Sequence, residues 1–244
     1  MSAPLYPVAI LAGGLATRMQ PMTANVPKAL LDVNGEPFIA HQLRLLKDNG
    51  IERVVVCAGY LGEMMRDYVG DGLRFGLDVD FSFDGPRPLG TGGALRAALP
   101  LLGSAFFVLY GDAYLPCDYR AVADAFAQSG ALGLMTVFRN GDRWDASNVE
   151  YIAGRIIAYD KNHRTPRMQH LDYGLGVLNA RALDDIPLGA PLDLATLYQS
   201  LLARGELAAW EAGHRFYEIG SPEGLADTRR YLASRASSRT ANAT

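Results

Sequence analysis

Three short apolar runs constrain this chain more than any other feature, because each is cut off by glycine at its C-terminal end. Val8-Ala9-Ile10-Leu11 runs into Gly13-Gly14, Arg53 to Ala58 meets Gly59, and Ala105 to Tyr110 meets Gly111-Asp112. An uninterrupted apolar run of this length suits a strand buried on both faces, as in a parallel sheet covered by helices. Glycine at the strand end lets the chain turn sharply and brings bare backbone close to whatever binds there. The intervening stretches predict crossover helices. Pro37 to Lys47 has Phe38, Leu45 and Leu46 among its apolar positions, with Gly50 where a C-cap belongs; Leu61 to Val69, Gly93 to Leu99, and Asp118 to Ser129 closed by Gly130 follow. The pattern is α/β, with three strand ends aimed at one edge.

After about residue 140 the texture changes to shorter strand candidates, Val149 to Ile152, Ile156 to Tyr159 and Tyr173 to Leu178, the first two joined across Ala153-Gly154-Arg155 as a hairpin. Leu192 to Ala203 predicts a helix and Arg215 to Ile219 a strand. Ser221 and Pro222 then suit the N-cap and first position of a last helix. That helix is expected to stop near Ser234, leaving 235–244 as a disordered tail. There is no internal repeat and no separating linker, so 1–234 reads as one domain, with 140–234 as a lobe on the sheet of 1–139.

Composition excludes several classes. A chain of 244 residues, 49% hydrophobic, can bury a large core without metals or disulfides. Lys plus Arg number 23 against 26 Asp plus Glu, a net charge of -3, which leaves no broad basic face for nucleic acid, so any anion must be met locally. Cys57 and Cys117 lack paired CxxC spacing and no secretory leader is visible, so a reduced, cytoplasmic setting is expected. Val8 to Ala12 is too short to span a bilayer, and no membrane partner is expected. Oligomeric state is left open, a homodimer among the options.

The densest chemistry lies in Leu11-Ala12-Gly13-Gly14-Leu15-Ala16-Thr17-Arg18-Met19, followed by Pro27-Lys28. The glycine pair gives phosphates access to backbone N–H groups, and Arg18 and Lys28 supply the charge that polyphosphate oxygens need. The string is neither a dinucleotide-binding fingerprint nor a Walker A loop. It resembles the sugar-1-phosphate nucleotidylyltransferases, whose motif reads G-G-x-G-T-R-[LM]…P-K; Gly13, Gly14, Thr17, Arg18, Met19, Pro27 and Lys28 match, while Ala16 stands where glycine is usual. The resemblance implies the nucleotide-diphospho-sugar transferase fold, a Rossmann-like doubly wound, mostly parallel sheet with a smaller sugar-binding β lobe.

Further landmarks follow in order. Asp84 to Leu95 is similar to the family's P-L-G-T-[AG]-G-A-L loop; Gly90, Gly92 and Gly93 would let a flat base lie on the backbone beside Thr91, and Asp84 can accept from guanine N1–H and N2–H or from the N3–H of uracil or thymine. Tyr110-Gly111-Asp112 matches [NY]-G-D, which makes Asp112 an Mg²⁺ ligand by resemblance, with Glu218 of Phe216 to Ser221 as its partner where the family has aspartate. Asp160-Lys161-Asn162 resembles E-K-P, whose lysine contacts the sugar phosphate. Asn148, Glu150, Asp172 and Gly174 fall where the family binds sugar hydroxyls. His163, Arg164, Arg167 and His170 form a basic loop nearby, and His41 and His214 read as structural. The resemblance thus implies a nucleotide site of Leu11, Ala12, Gly13, Gly14, Thr17, Asp84, Gly90, Thr91 and Gly92, a catalytic set of Arg18, Lys28, Asp112 and Lys161, and Mg²⁺ as cofactor. The substrates it implies are a nucleoside triphosphate and a sugar 1-phosphate. Overall likeness is greatest to D-glycero-alpha-D-manno-heptose 1-phosphate guanylyltransferases, hence GTP, and next to N-acetylmuramate 1-phosphate uridylyltransferases; mannose and glucose 1-phosphate are further options. A subunit that senses nucleotide sugars without catalysis is the alternative of another class.

Overall fold

Alternate residues of the central strands serve two cores, which is what a strand period of two requires when both faces are covered. The computed structural model describes residues 5–14 and 19–241. In strands β1 (Val8–Ala12) and β4 (Arg53–Ala58), Val8, Ile10, Val54 and Val56 face one core, while Ala9, Leu11, Val55 and Cys57 face the other. Between them run a small hairpin, β2 (Asp32–Val33) and β3 (Glu36–Pro37), and helix α1 (Phe38–Asp48). Helix α2 (Gly62–Val69), strand β5 (Asp78–Phe83), helix α3 (Gly90–Leu102) and strand β6 (Ala105–Tyr110) complete a parallel half-sheet in the order β5-β4-β1-β6. Ile39, Leu43 and Leu46 of α1 and Met65 of α2 cover the first face, and Leu95 and Ala98 of α3 the second.

The chain then adds β7 (Ala113–Tyr114), α4 (Tyr119–Ser129), β8 (Gly133–Arg139), the hairpin β9 (Val149–Ile152) and β10 (Arg155–Tyr159), and the long β11 (His170–Asn179). β11 lies antiparallel between β6 and β8 and touches β9 at His170↔Val149, so the second half extends the same nine-stranded sheet. Helix α5 (Leu194–Ala203), strand β12 (Leu207–Glu211) parallel to β8, strand β13 (Tyr217–Glu218) and helix α6 (Pro222–Ala241) follow. β13 pairs with β7, and α6 packs on the β2–β3 hairpin in a third cluster with Val33, Ile219 and Leu225.

The expected strands and crossover helices form, with instructive differences. β5, β8 and β12 are strands the pattern did not single out. β5 alternates Asp, Ser and apolar residues because it is an edge strand, and β12 is half-buried along its length. α3 starts three residues early, at Gly90 instead of Gly93, and α5 starts at Leu194 because Asp193 caps it through the Ala195 N–H. The Arg215–Ile219 strand shrinks to Tyr217–Glu218. The final helix does not stop near Ser234 but runs to Ala241, since 235–241 contain neither glycine nor proline to break it. No helix among the described residues is long and apolar enough to cross a membrane.

Asp118 is a clean probe of local architecture: its Oδ1 accepts the Ala121 N–H at 3.0 Å as the N-cap of α4. Asp118→Ala should cost about 1 kcal/mol, lowering Tm by roughly 2–4 °C in a thermal melt.

Candidate active site

The strand ends of β1, β4 and β6 sit side by side because their loops are built from glycines that interpenetrate. The Gly111 N–H donates to the Leu11 carbonyl at 2.9 Å, and a methyl group at Gly111 would stand 2.6 Å from that oxygen. A methyl at Gly59 would stand 2.7 Å from the Gly13 carbonyl. These approaches are closer than any Cβ allows, so only glycine lets the three loops share one edge. They enclose a cavity of about 320 Å³. Of the expected nucleotide residues, Leu11, Ala12, Gly13, Gly14, Asp84, Gly90 and Thr91 line it, as do Lys28 and Asp112. Ala16, Thr17 and Arg18 lie outside the described residues.

The floor of the cavity is charged. Lys28 Nζ pairs with Asp112 Oδ2 at 2.9 Å, both side chains partly shielded from water. Glu218 approaches from β13. Its Oε1 accepts from Ser221 Oγ at 2.7 Å and its Oε2 from the Gly220 N–H. A methyl on Gly220 would lie 2.7 Å from Glu218 Oε2, 3.1 Å from Asp112 Oδ2 and 3.7 Å from Lys28 Nζ, so these three groups converge on one bare glycine. Two carboxylates of this kind fit a hard, oxygen-seeking cation. Among the described residues no third His, Cys, Asp or Glu joins them, so substrate oxygens and water would have to complete its shell.

The opposite wall holds Asp84. Its Oδ2 accepts the Leu89 N–H at 3.3 Å, and burial pushes its carboxyl pKa above the usual range. The glycines that follow also serve packing. At Gly90, with φ of +69°, a methyl would meet the Leu192 carbonyl at 2.6 Å; at Gly93 it would meet the Ala190 carbonyl at 2.5 Å. Gly92 packs on the Leu192 side chain and does not line the cavity. This run is thus the first turn of α3, pressed against 190–192 on one side while Gly90 and Thr91 line the cavity. Thr91 Oγ1 accepts the Leu194 N–H at 2.7 Å and so helps cap α5.

Of the residues expected to bind the sugar, Asn148, Lys161 and Gly174 come together around Asp172, and Glu150 pairs elsewhere. Asp172 lies at a register shift in β11. Its Oδ2 accepts from Tyr159 Oη at 3.2 Å and Tyr110 Oη at 3.3 Å, and its Oδ1 from the Gly174 N–H at 3.1 Å. Asn148 Oδ1 accepts the Asp172 N–H at 2.9 Å. Desolvation raises the Asp172 pKa against the opposing pull of Lys161. Asp172 is therefore a hub already bonded to protein, and the groups it presents are the tyrosines. Glu150, buried in β9, pairs with exposed Arg167 at 3.1 Å. Lys161 is exposed, its Nζ 3.5 Å from Tyr110 Oη. Tyr110 touches both halves, since it also lines the cavity. Tyr159 escaped the sequence reading because an aromatic ending a short apolar strand reads as core.

Cys57 reaches the cavity from β4, yet its thiol pKa is pushed up to about 12, chiefly by burial and further by the neighbouring Asp84 charge; Cys117, also buried, is pushed up to about 12. At pH 8 only about one thiol in ten thousand would be thiolate. Iodoacetamide followed by intact mass measurement should therefore leave both cysteines unmodified in the native protein and add two labels in denaturant.

Residues 8–148 match the family model described as Nucleotidyl transferase. The chain is 40% identical over 113 residues to an N-acetylmuramate alpha-1-phosphate uridylyltransferase of Neisseria meningitidis, covering 46% of this chain and 49% of that protein. It is 28% identical over 233 residues to a mannose-1-phosphate guanylyltransferase of Mycobacterium tuberculosis, covering 92% and 65%. The chain thus spans about half to two thirds of the length of these curated relatives. Among solved structures, one from Bacillus anthracis assigned as a glucose-1-phosphate thymidylyltransferase superposes with a TM-score of 0.81 at 20% identity, covering 92% of this chain and 94% of that one. HddC of Yersinia pseudotuberculosis, complexed with GMP-PN, superposes with a TM-score of 0.75 at 24% identity, covering 93% and 100%. The fold is accordingly the nucleotide-diphospho-sugar transferase fold, and by the match over residues 8–148 the chain belongs to the nucleotidyl transferase family.

Proposed function

We propose that the protein transfers a nucleotidyl group from a nucleoside triphosphate to a sugar 1-phosphate, giving a nucleoside diphosphate sugar and pyrophosphate. The observation that carries this reading is the Lys28–Asp112 pair at the floor of a cavity walled by Gly13, Gly14, Gly90 and Thr91, with Lys161 on its far side behind Tyr110. A sugar phosphate oxygen attacks the α-phosphorus in line, an O–P bond forms, and the bond to the β-phosphate oxygen breaks as pyrophosphate leaves. The attacking phosphate is already ionised at neutral pH, so the protein need not abstract a proton. Its task is to hold two anions together and disperse charge.

In this reading Lys28, with Arg18 from the same motif, binds the departing phosphates, and Lys161 holds the attacking one. Asp112 and Glu218 would hold Mg²⁺, which when bound neutralises phosphate oxygens and makes the α-phosphorus more electrophilic. Tyr110 and Tyr159, oriented by Asp172, present hydroxyls to the sugar side.

Base choice turns on Asp84. A carboxylate offers two acceptors, which suit the adjacent N1–H and N2–H donors of guanine; uracil has one N3–H between two carbonyls that would face the second oxygen. This supports GTP, in keeping with the guanine-nucleotide complex of the HddC neighbour; D-glycero-alpha-D-manno-heptose 1-phosphate as co-substrate rests on the motif resemblance to the heptose 1-phosphate guanylyltransferases. The 40% identity to the Neisseria uridylyltransferase favours a second reading, UTP with N-acetylmuramate 1-phosphate. A cytoplasmic setting agrees with both.

Pyrophosphate release, measured with each nucleoside triphosphate and Mg²⁺ against heptose, N-acetylmuramate, mannose and glucose 1-phosphates, decides between them. Release with GTP and heptose 1-phosphate is expected; no release with any pair would leave the sensing subunit as the better reading. Lys28→Ala and Asp112→Asn should each lower kcat by about two to three orders of magnitude with folding intact by circular dichroism. Asp84→Asn, whose amide offers one donor and one acceptor, should move the kcat/KM ratio toward UTP by about tenfold or more.

A further inference from the structure

Gln42 lies on α1, only 1% exposed, outside every motif that marks the site. Its Nε2 donates to the Ala113 carbonyl at 2.7 Å and to the Tyr110 carbonyl at 3.2 Å, 71 and 68 residues along the chain. Those two residues bracket Gly111-Asp112. Because both partners are acceptors, the nitrogen end of the amide must face them. The other end, Oε1, is buried without a partner, an arrangement that costs stability and that an apolar residue of the same shape would avoid.

The same turn has two further anchors. The Gly111 N–H donates to the Leu11 carbonyl at 2.9 Å, and the Ile219 N–H donates to the Asp112 carbonyl at 2.9 Å. Those bonds belong to the main chain and come with the fold. Gln42 supplies the anchor that depends on a side chain, and it grips the turn on both sides of the aspartate. We infer that Gln42 is a positioning residue for Asp112: by clamping the Tyr110 and Ala113 carbonyls it fixes the turn so that the carboxylate meets Lys28 beside Gly220. The inference rests on the proposed role of Asp112. Loosening the clamp should impair what Asp112 holds and largely spare the sugar side, because the Tyr110 hydroxyl keeps its own bond to Asp172 and the other proposed sugar contacts hang on β9 to β11 and their loops.

The test uses the full chain with Gln42→Met, which keeps the volume, removes both donated bonds and removes the unpaired oxygen. Mn²⁺ binding is titrated by electron paramagnetic resonance in wild type, Gln42→Met and Asp112→Asn, and the Mg²⁺ dependence of turnover is measured beside it. Gln42→Met should bind Mn²⁺ about tenfold or more weakly and need correspondingly more Mg²⁺ for half-maximal turnover, while the KM for sugar 1-phosphate stays within about twofold, since the Tyr110 hydroxyl is held separately by Asp172 and the remaining sugar-side groups lie on other strands and loops. Gln42→Glu, which keeps the shape and surrenders one or both donors, gives the same readout if the methionine variant does not fold. Wild-type Mn²⁺ affinity and turnover in the variant would overturn the inference, as would a lowered Tm with unchanged Mn²⁺ affinity, which reports packing alone. If wild type and Asp112→Asn bind Mn²⁺ alike, the assignment of Asp112 is the part that fails, and the role of Gln42 falls with it.

Discussion

Everything at the site depends on how closely three backbones approach at the C-terminal edge of the parallel strands. Gly59 against the Gly13 carbonyl and Gly111 against the Leu11 carbonyl leave no room for a single added carbon. That crowding fuses three loops from distant parts of the chain into one wall, and it brings Asp112, at the end of β6, over Lys28 from the loop after β1. A parallel sheet naturally delivers its strand ends to one edge, and ligands of open α/β sheets collect there. Here the glycines convert a shared edge into a shared surface, on which a cation and a carboxylate can sit 2.9 Å apart while remaining partly open to solvent.

The charge economy follows from that geometry. With 23 basic and 26 acidic residues the chain carries no general attraction for anions, so discrimination must come from a few groups held at short range. Lys28 is such a group. Its partner Asp112 keeps the ammonium oriented, and the pair offsets part of the desolvation each would suffer alone at the cavity floor. Gly220 completes the device by leaving space for Glu218, whose carboxylate folds back on the start of α6 through Ser221. The serine that caps the helix thereby also orients the second carboxylate, so helix initiation and site assembly are one local event.

The central fold could be read from the chain because a buried parallel strand writes itself as an apolar run and the glycines punctuate it. β1, β4 and β6 were legible for that reason, and so was the hairpin turn at Ala153-Gly154, where both residues take positive φ. β5 was not: on the edge of the sheet its outward residues are Asp78, Asp80 and Ser82, and the apolar signal is halved. Among candidate site residues, Asp84 and Asp112 declared themselves as carboxylates beside glycine, and Lys28 and Glu218 through motifs similar to the family's. Glycine marks close approach without saying to what, and the neighbour that Gly92 packs on is Leu192, a hundred residues away in the chain. Gln42 was silent, since one amide on an apolar helix face carries no pattern at all.

Asp172 is expected to touch substrate, and the structure gives it protein partners as well: its oxygens accept from two phenols and a backbone N–H. A carboxylate buried with such partners is worth more as an organiser than as a contact, because its burial cost is met by bonds that also fix Tyr110 and Tyr159 in one orientation. Tyr110 lines the cavity and meets Lys161 at its hydroxyl, so the phenol physically links the cavity to the strands β9 to β11. In the proposed reaction such a link would help hold the attacking phosphate in register with the α-phosphorus, and Gly174 leaves the Tyr110 ring its place, since an added methyl there would stand 3.1 Å from the ring.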